Sequence, residues 1–273
     1  MCNIAHVSKS GYYKWLKSRT YIKNKNDLIY VYAAFLLTNK KGGFRSIKMF
    51  MERYFNIIMN HKKIIRLMKI LNLKPNIRKA KPYKSLNSKR DSSSLVFDNL
   101  LQRNFKNTKP LETLCSDITY LKYNNTFAYL NVLMDTKTNE IISYHLSKNL
   151  SMDFVHSSIC YGIDSIKQRY NSIKRIMLHT DRGIHYTNSN LQKALKAKGV
   201  IQSMSNPGTP LDNAVIESFF GHLKDEINFK QCKTFEALSE IINNYMYYYN
   251  NIRPQWTKNK MTPVEYRNYL LAS

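Results

Sequence analysis

Hydrophobic positions near the start of the chain recur at the spacing of an α-helix. Asp27 and Asn60 each stand where such a stretch begins, and both residue types accept hydrogen bonds from the first amides of a helix. The pattern predicts short helices over residues 8–19, 27–39, 45–55 and 61–72. One face of the second helix is expected to carry Ile29, Tyr32, Ala33 and Leu36. Three short helices with a basic last one are typical of a helix-turn-helix unit.

From residue 112 onward, hydrophobic residues either alternate with polar ones or form short uninterrupted stretches. Thr, Tyr and Val are frequent in these stretches, and both patterns favour strands. Asn124-Asn125 separates two of these stretches and predicts the turn of a hairpin. Strands are predicted over 112–122, 127–134, 141–147, 175–179 and 200–204. Helices are predicted over 152–170, over 188–198, after Thr209, and from Thr234 to about Asn250. This order predicts an α/β fold with a mixed five-stranded sheet and helices on both faces.

The charge of the chain is large and unevenly distributed. Its 273 residues include 43 Lys and Arg against 18 Asp and Glu, a net charge of +25. Residues 1–109 carry 25 of the basic residues and four acids, while residues 110–273 carry 18 basic and 14 acidic residues. A basic arm joined to a nearly balanced body indicates a nucleic-acid partner. We therefore predict a basic helical DNA-binding region (1–73), a basic linker (74–109) and a body with C-terminal helices (110–273).

Several classes of protein are disfavoured by the sequence. The longest uninterrupted apolar run, residues 28–37, is too short to span a bilayer, and no signal-peptide pattern precedes it. The four cysteines lie far apart without a CxxC pair, which argues against a zinc module and against a disulfide framework. No phosphate-binding glycine motif of a nucleotide-driven motor occurs. We expect a cytoplasmic protein with reduced thiols and no membrane partner.

Candidate DNA-binding residues cluster on the last of the N-terminal helices. Its polar face shows Lys62, Lys63, Arg66 and Lys69, and Arg45 lies on the helix before it. Cations on one helix face suit contacts with DNA phosphates. An ordinary solvated helix face explains the same run of charge equally well, so the pattern alone leaves both readings open.

Three acids stand where an α/β fold brings residues together. Asp117 lies within a predicted strand, Asp181 directly follows another, and Glu217 lies on the helix after Thr209. Asp135 also ends a strand and is the chief rival, although its setting, Asp-Thr-Lys-Thr-Asn, is typical of a turn. Lys224 follows Glu217 by two helical turns and offers a cation for a phosphate.

Metal chemistry is the natural use of three converging carboxylates. Without a cation they would repel one another and raise each other's pKa. Two Mg²⁺ (or Mn²⁺) ions per active site would relieve that repulsion and act on the attacking and leaving oxygens of a phosphodiester. No nucleophilic side chain is needed, because water or a sugar hydroxyl attacks.

The spacing of these acids resembles that of a known superfamily. Thirty-five residues separate Asp181 from Glu217, and Lys224 lies seven residues further on. This resembles the Asp, Asp, thirty-five residues, Glu signature of DDE transposases and retroviral integrases. Stretches 117–120, 179–187 and 212–220, together with 10–15, 249–254 and 262–266, are similar to OrfB-type insertion-sequence transposases of the IS-three family. The resemblance covers nearly the whole chain.

The resemblance implies both a fold and a reaction. It implies an RNase H-like catalytic domain over 110–273 in which Asp117, Asp181 and Glu217 are the catalytic and metal-binding residues. It implies cleavage of insertion-sequence ends, followed by attack of the freed 3′-hydroxyl on DNA through a copy-out, paste-in route. It also implies a homo-oligomer and the upstream reading-frame product as a fusion or partner.

Two other functions remain open from the residues alone. An RNase H-fold nuclease that only hydrolyses would need the same carboxylates, since the sequence does not distinguish water from a sugar hydroxyl as the nucleophile. A non-enzymatic regulator built on the helix-turn-helix segment would leave the three acids and Lys224 without a role.

Overall fold

The computed structural model describes residues 8–17, 25–75, 96–105, 109–170, 173 and 175–272. The chain divides into two compact units, Met1–Ile77 and Arg78–Ser273. The described elements of the first unit are helices, and the second unit contains a β-sheet. No helix of the described ranges combines the length and the apolar character needed to cross a membrane.

The helices of the first unit are α1 (Lys9–Lys17), α2 (Lys25–Leu37), α3 (Phe44–Phe55) and α4 (His61–Ile70). Asn60 begins α4 as predicted, since its side chain accepts a hydrogen bond from the Lys62 amide at 2.9 Å. Asn56 ends α3 in the left-handed conformation, with φ 54°. The core of this unit includes Val31, Ala34, Ile47, Phe50, Ile64 and Leu67.

The buried face of α2 differs from the predicted face. Ile29, Tyr32 and Leu36 are exposed. The buried residues of this helix are instead Leu28, Val31, Ala34 and Phe35. Nearly every side of α2 is apolar, so the period of its sequence cannot select one face. The contacts of α2 with α3 and α4 make that selection.

The sheet of the second unit has five strands in the order β3-β2-β1-β4-β5. Their bounds are β1 (Thr113–Tyr123), β2 (Thr126–Asp135), β3 (Ile141–Ser147), β4 (Ile176–Thr180) and β5 (Val200–Met204). The β1–β2 and β2–β3 pairs are antiparallel, whereas β4 runs parallel to both β1 and β5. Asn124 and Asn125 form the predicted hairpin turn, both with positive φ.

Helices cover both faces of the sheet and bury two hydrophobic clusters. On one face, α5 (Met152–Arg169) and α6 (Ser189–Ala197) pack over Leu114, Leu133 and Leu178. On the other face, α7 (Ala214–Glu226) and α8 (Phe235–Asn251) pack over Cys115, Leu121 and Val132. This mixed, helix-covered sheet confirms the predicted RNase H-like fold class.

Two features near the carboxyl end of the chain differ from the prediction. The stretch after Thr209 forms a short 3₁₀ turn, Pro210–Asn213, before α7 begins. A further helix, α9 (Pro263–Ala272), was not predicted because its sequence lacks a clear apolar stripe. It is joined to the sheet by a buried ion pair between Arg267 and Glu140, which lies just before β3.

Close packing of α5 on the sheet depends on Gly162. A Cβ atom at this position would lie 2.4 Å from Ser143 Oγ and 2.5 Å from Leu133 Cδ2. We predict that Gly162→Ala lowers the free energy of unfolding by about 1–3 kcal/mol, although Ala is the better helix former. Urea denaturation measures the change. Ser157→Ala, at an exposed position of the same helix, is the control and should be neutral or slightly stabilising; equal stability of both variants would contradict the close contact.

Candidate active site

Asp117 and Asp181 lie at matching positions of neighbouring parallel strands. The β1–β4 register aligns Thr113 with Met177 and Cys115 with His179, and continuing it aligns Asp117 with Asp181. Asp181 directly follows the last residue of β4. Since neighbouring strands are about 4.7–4.9 Å apart, this register places two carboxyl groups side by side.

A backbone amide fixes one oxygen of each carboxyl group. Ile118 donates its N–H to Asp117 Oδ1 at 2.7 Å, and Gly183 donates its N–H to Asp181 Oδ1 at 2.9 Å. A Cβ atom on Gly183 would lie 2.9 Å from that same Asp181 oxygen. Glycine therefore allows the loop after β4 to fold closely around the carboxylate.

A buried polar network supports β1 beside Asp117. The Asn131 amide donates to the Tyr186 hydroxyl at 3.0 Å and to Ser116 Oγ at 3.1 Å. Ser116 and Tyr186 are themselves 3.3 Å apart. Sequence reasoning did not single out this network. The available signal was a polar Asn131 within the apolar stretch Leu-Asn-Val-Leu of β2, since buried amides need partners.

Glu217 lies one turn into α7, with its side chain exposed beside the helix face that packs on the sheet. The buried residues of that face are Ile216, Phe219, Phe220 and Leu223. Lys224 lies two turns beyond Glu217 on the adjacent stripe and is partly buried. The far end of α7 is fixed to α8 and to the residues just after it, because the Tyr245 hydroxyl donates to Glu226 Oε2 at 3.1 Å and Arg253 Nη2 donates to Glu226 Oε1 at 2.8 Å.

The charges of the other site groups act on Asp117. Burial, followed by the charge of Asp181 and that of Glu217, raises the pKa of Asp117 to about 7, and the Lys224 ammonium opposes this rise. Burial also raises the pKa of Asp181 and that of Glu217. The three predicted acids and Lys224 thus share one electrostatic environment.

Comparison with known proteins places the chain among transposases. Integrase core domain models match residues 107–210 and 217–271. The putative transposase InsK for insertion sequence element IS150 of Escherichia coli is 34% identical, over 97% of this chain and 91% of that protein. The transposase InsF for insertion sequence IS3fB of Escherichia coli is 28% identical, over 100% of this chain and 94% of that protein.

The chain belongs to the IS-three family of DDE transposases. Among solved structures, the HTLV-2 integrase catalytic core domain in complex with magnesium superposes with a TM-score of 0.45 at 16% identity. That match covers 58% of this chain and 97% of the solved chain.

The donor set of this transposase fits a divalent cation in its chemistry. Carboxylate oxygens are the ligands that Mg²⁺ and Mn²⁺ prefer, and the charges of Asp181 and Glu217 add to the effect of burial in raising the pKa of Asp117. Within the ranges that the structure describes, no group of three or more His, Cys, Asp or Glu side chains is close enough to hold a metal ion. The β1–β4 register aligns Asp117 with Asp181. The link between Glu217 and Asp117 is electrostatic, because the charge of Glu217 raises the pKa of Asp117.

Asp135, the rival acid, has a structural role in the transposase. Its carboxylate is buried and accepts hydrogen bonds from the Thr138 hydroxyl at 2.6 Å and from the Thr138 amide at 3.1 Å. These bonds close the turn between β2 and β3, as the setting of Asp135 in the sequence predicted.

The predicted DNA-binding residues of the first unit have different surroundings. Lys62, Arg66 and Lys69 are exposed on α4, and Arg45 is exposed on α3. Lys63 instead forms an ion pair with Asp27 of α2, with Nζ 2.6 Å from Oδ2. Lys63 thus contributes to the contact between two helices of its own unit.

Removing the Asp117 charge should stabilise the metal-free transposase at high pH. Because the pKa of Asp117 is raised from 3.8 to about 7, its contribution to stability falls as the pH rises through that window. We predict that Asp117→Asn raises the melting temperature in EDTA at pH 8 by several degrees and changes it little at pH 4. Asp153→Asn, at an exposed position of α5, is the control. An equal response of both variants at pH 8 would contradict the raised pKa of Asp117.

Proposed function

We propose that the chain cleaves DNA at the ends of an insertion sequence and joins the resulting 3′-hydroxyl to target DNA. The observation that carries this proposal is the alignment of Asp117 with Asp181 across β1 and β4, together with the effect of Glu217 and Lys224 on the pKa of Asp117. Similarity to named transposases over nearly the full chain supports the same conclusion.

Asp117, Asp181 and Glu217 would hold two divalent cations, Mg²⁺ or Mn²⁺. When bound, such a pair of cations activates the attacking oxygen and neutralises charge on the leaving oxygen of a phosphodiester. The Ile118 and Gly183 amides hold one oxygen of each aspartate in place. Gly183 keeps side-chain bulk away from Asp181.

DNA has room beside Lys224. A groove of about 740 Å³ is lined by residues 120–125, by Lys224 and by residues 227–229. The ammonium of Lys224 suits a phosphate of a strand in this groove. Glu217 and Lys224 lie on the same side of α7, so one strand can reach both.

The proposed reaction has two displacements at phosphorus. Water attacks the phosphodiester at the end of the insertion sequence, and the bond to the 3′-oxygen breaks to leave a 3′-hydroxyl. That hydroxyl then attacks a second phosphodiester, which forms a new bond and releases the 3′-oxygen of the target strand. The family resemblance favours a copy-out, paste-in route with a circular intermediate.

The first unit would bind DNA through the cations of α3 and α4. We propose residues 1–73 as the DNA-binding region, 74–109 as a linker whose residues 96–105 pack against β5, and 110–273 as the catalytic domain. Two DNA ends must meet in one complex, which calls for a homo-oligomer, and the upstream reading-frame product is proposed as a fusion or partner. The chain would act in the bacterial cytoplasm, on the nucleoid when bound to DNA.

Neutralising a site carboxylate should remove catalysis and preserve DNA binding. We expect Asp117→Asn, Asp181→Asn and Glu217→Gln each to reduce cleavage of insertion-sequence ends by at least a thousandfold (on the order of 10³) while the Kd for DNA changes little. The measurement is cleavage, and strand transfer with pre-cleaved ends, in Mg²⁺. The melting temperature of each site variant tests its integrity, and Asp153→Asn, at an exposed position outside the site, is the matched control. Activity that survives one site substitution would remove that residue from the site, and cleavage without strand transfer would indicate a hydrolytic nuclease.

Exposed lysines of α4 should account for part of the salt dependence of DNA binding. If Lys62 and Lys69 contact phosphates, replacing both with Ala should reduce the slope of log K against log salt by about two. Fluorescence anisotropy over a salt series measures the slope. Lys193→Ala with Lys196→Ala removes two exposed lysines from α6 and is the matched control. A slope that falls equally in the control would contradict the assignment of DNA binding to α4.

A further inference from the structure

Residues 96–105 form an ordered segment along the edge of the sheet, although they lie within the predicted linker. The Met204 amide of β5 donates to the Asp98 carbonyl at 3.2 Å. Ser203 Oγ of β5 accepts the Leu100 amide at 2.9 Å. Leu101 is buried. The segment thus packs against the edge strand β5 near the end of the sheet where Asp181 lies.

Asp212 is the main contact between this segment and the loop before α7. Its carboxylate is 3% exposed and lies 2.6 Å from Arg103 Nε. It also accepts hydrogen bonds from Asn99 Nδ2 at 2.9 Å, from Thr209 Oγ1 at 2.6 Å and from the Asn206 amide at 3.1 Å. A buried carboxylate needs such donors, so this arrangement fixes the segment and the loop together.

The loop held by Asp212 leads directly into the helix that carries Glu217. Asp212 lies in the 3₁₀ turn Pro210–Asn213, and α7 starts at Ala214. Only four residues separate Asp212 from Glu217. A shift of this turn would therefore move the Glu217 carboxylate.

The same segment is also linked to the strand that leads to Asp181. Ser203 Oγ, which accepts the Leu100 amide, lies 2.9 Å from His179 Nδ1. His179 is fully buried on β4, two residues before Asp181. The segment thus contacts Asp212, which precedes the Glu217 helix, and Ser203, which contacts the strand that leads to Asp181.

The backbone of the segment is strained where it presents Arg103. Gln102 and Arg103 have φ of 46° and 61°, a region that costs residues with a Cβ about 1–2 kcal/mol each. Such strain persists only when surrounding contacts impose it. Two side-chain contacts occur at this turn: the Gln102 amide donates to Asn99 Oδ1 at 2.9 Å, and Arg103 pairs with Asp212.

We propose that Arg103 is a positioning residue for strand transfer, acting through Asp212 to fix the turn that places Glu217. This inference rests on the proposed function. A direct phosphate contact is the alternative role for Arg103, because half of its side chain is exposed. The two roles predict different effects of Arg103→Ala on the Kd for DNA and on its salt dependence.

A double-mutant cycle in the full-length chain tests the route through Asp212. We expect Arg103→Ala to slow strand transfer of pre-cleaved ends by about tenfold or more, since small displacements of reacting groups slow catalysis strongly. Asp212→Asn combined with Arg103→Ala should be no slower than the slower single variant, because both remove one interaction. Arg103→Lys should recover part of the rate. If Asp212→Asn fails to fold, Asn99→Ala, which removes another donor to the same carboxylate, takes its place.

Controls separate positioning from DNA contact. Arg103→Ala should leave the Kd for DNA and its salt dependence unchanged, whereas loss of a phosphate contact would lower the salt slope by about one. Lys198→Ala breaks a surface ion pair with Asp164, with Nζ 2.6 Å from Oδ1, and should leave strand transfer unchanged. Additive effects in the cycle, or a lowered salt slope, would overturn the proposal.

Hydrogen exchange of the metal-free protein gives a readout that does not need catalysis. Amides of residues 205–217 should exchange faster in Arg103→Ala than in the unchanged chain, while amides of β3 should be unaffected. Equal exchange in 205–217 would overturn the positioning role. If the protein without substitutions showed no strand-transfer activity, the proposed function would be refuted. The exchange experiment would still decide whether Arg103 fixes the turn.

Discussion

The candidate site of the second unit depends on a constraint between β1 and β4: their parallel register, continued past Cys115 and His179, aligns two partly buried carboxyl groups. Parallel strands need a long crossover connection, which here runs through β2, β3 and α5. The hydrophobic clusters on both faces of the sheet stabilise this arrangement. Burial first and the charge of Asp181 second raise the pKa of Asp117 to about 7, so the ionised form of Asp117 is unfavourable without a cation. The fold thus holds Asp117 where its ionised form is electrostatically unfavourable, and a bound cation would remove that penalty.

The other parts of the site are held by contacts remote from the carboxylates. Helix α7 is fixed by its buried face, by the Arg253–Glu226 contact at one end and by the Asp212 contacts at the other. These contacts join four stretches of sequence around one helix. They explain how an exposed Glu217 keeps a defined place relative to two aspartates on strands.

Much of this protein could be predicted from local pattern. The strands agree with the predicted ones to within a few residues, because alternation, the Asn124-Asn125 turn and short apolar stretches are strong local signals. The candidate acids stood out through their places at strand and helix boundaries and through their spacing. Helix α9 was missed because its sequence has no clear stripe, and the face of α2 was predicted wrongly because that helix is apolar nearly all round.

The sequence by itself determined the element order, the division of charge and the chemistry that three carboxylates and a lysine can perform. Tertiary structure alone decided which partners these residues have. It paired Lys63 with Asp27, joined Arg267 to Glu140, and brought Arg103 onto Asp212. The physical reason is that helix and strand periods arise from neighbours a few residues apart, whereas burial and ion pairing depend on side chains that meet only after the chain has folded.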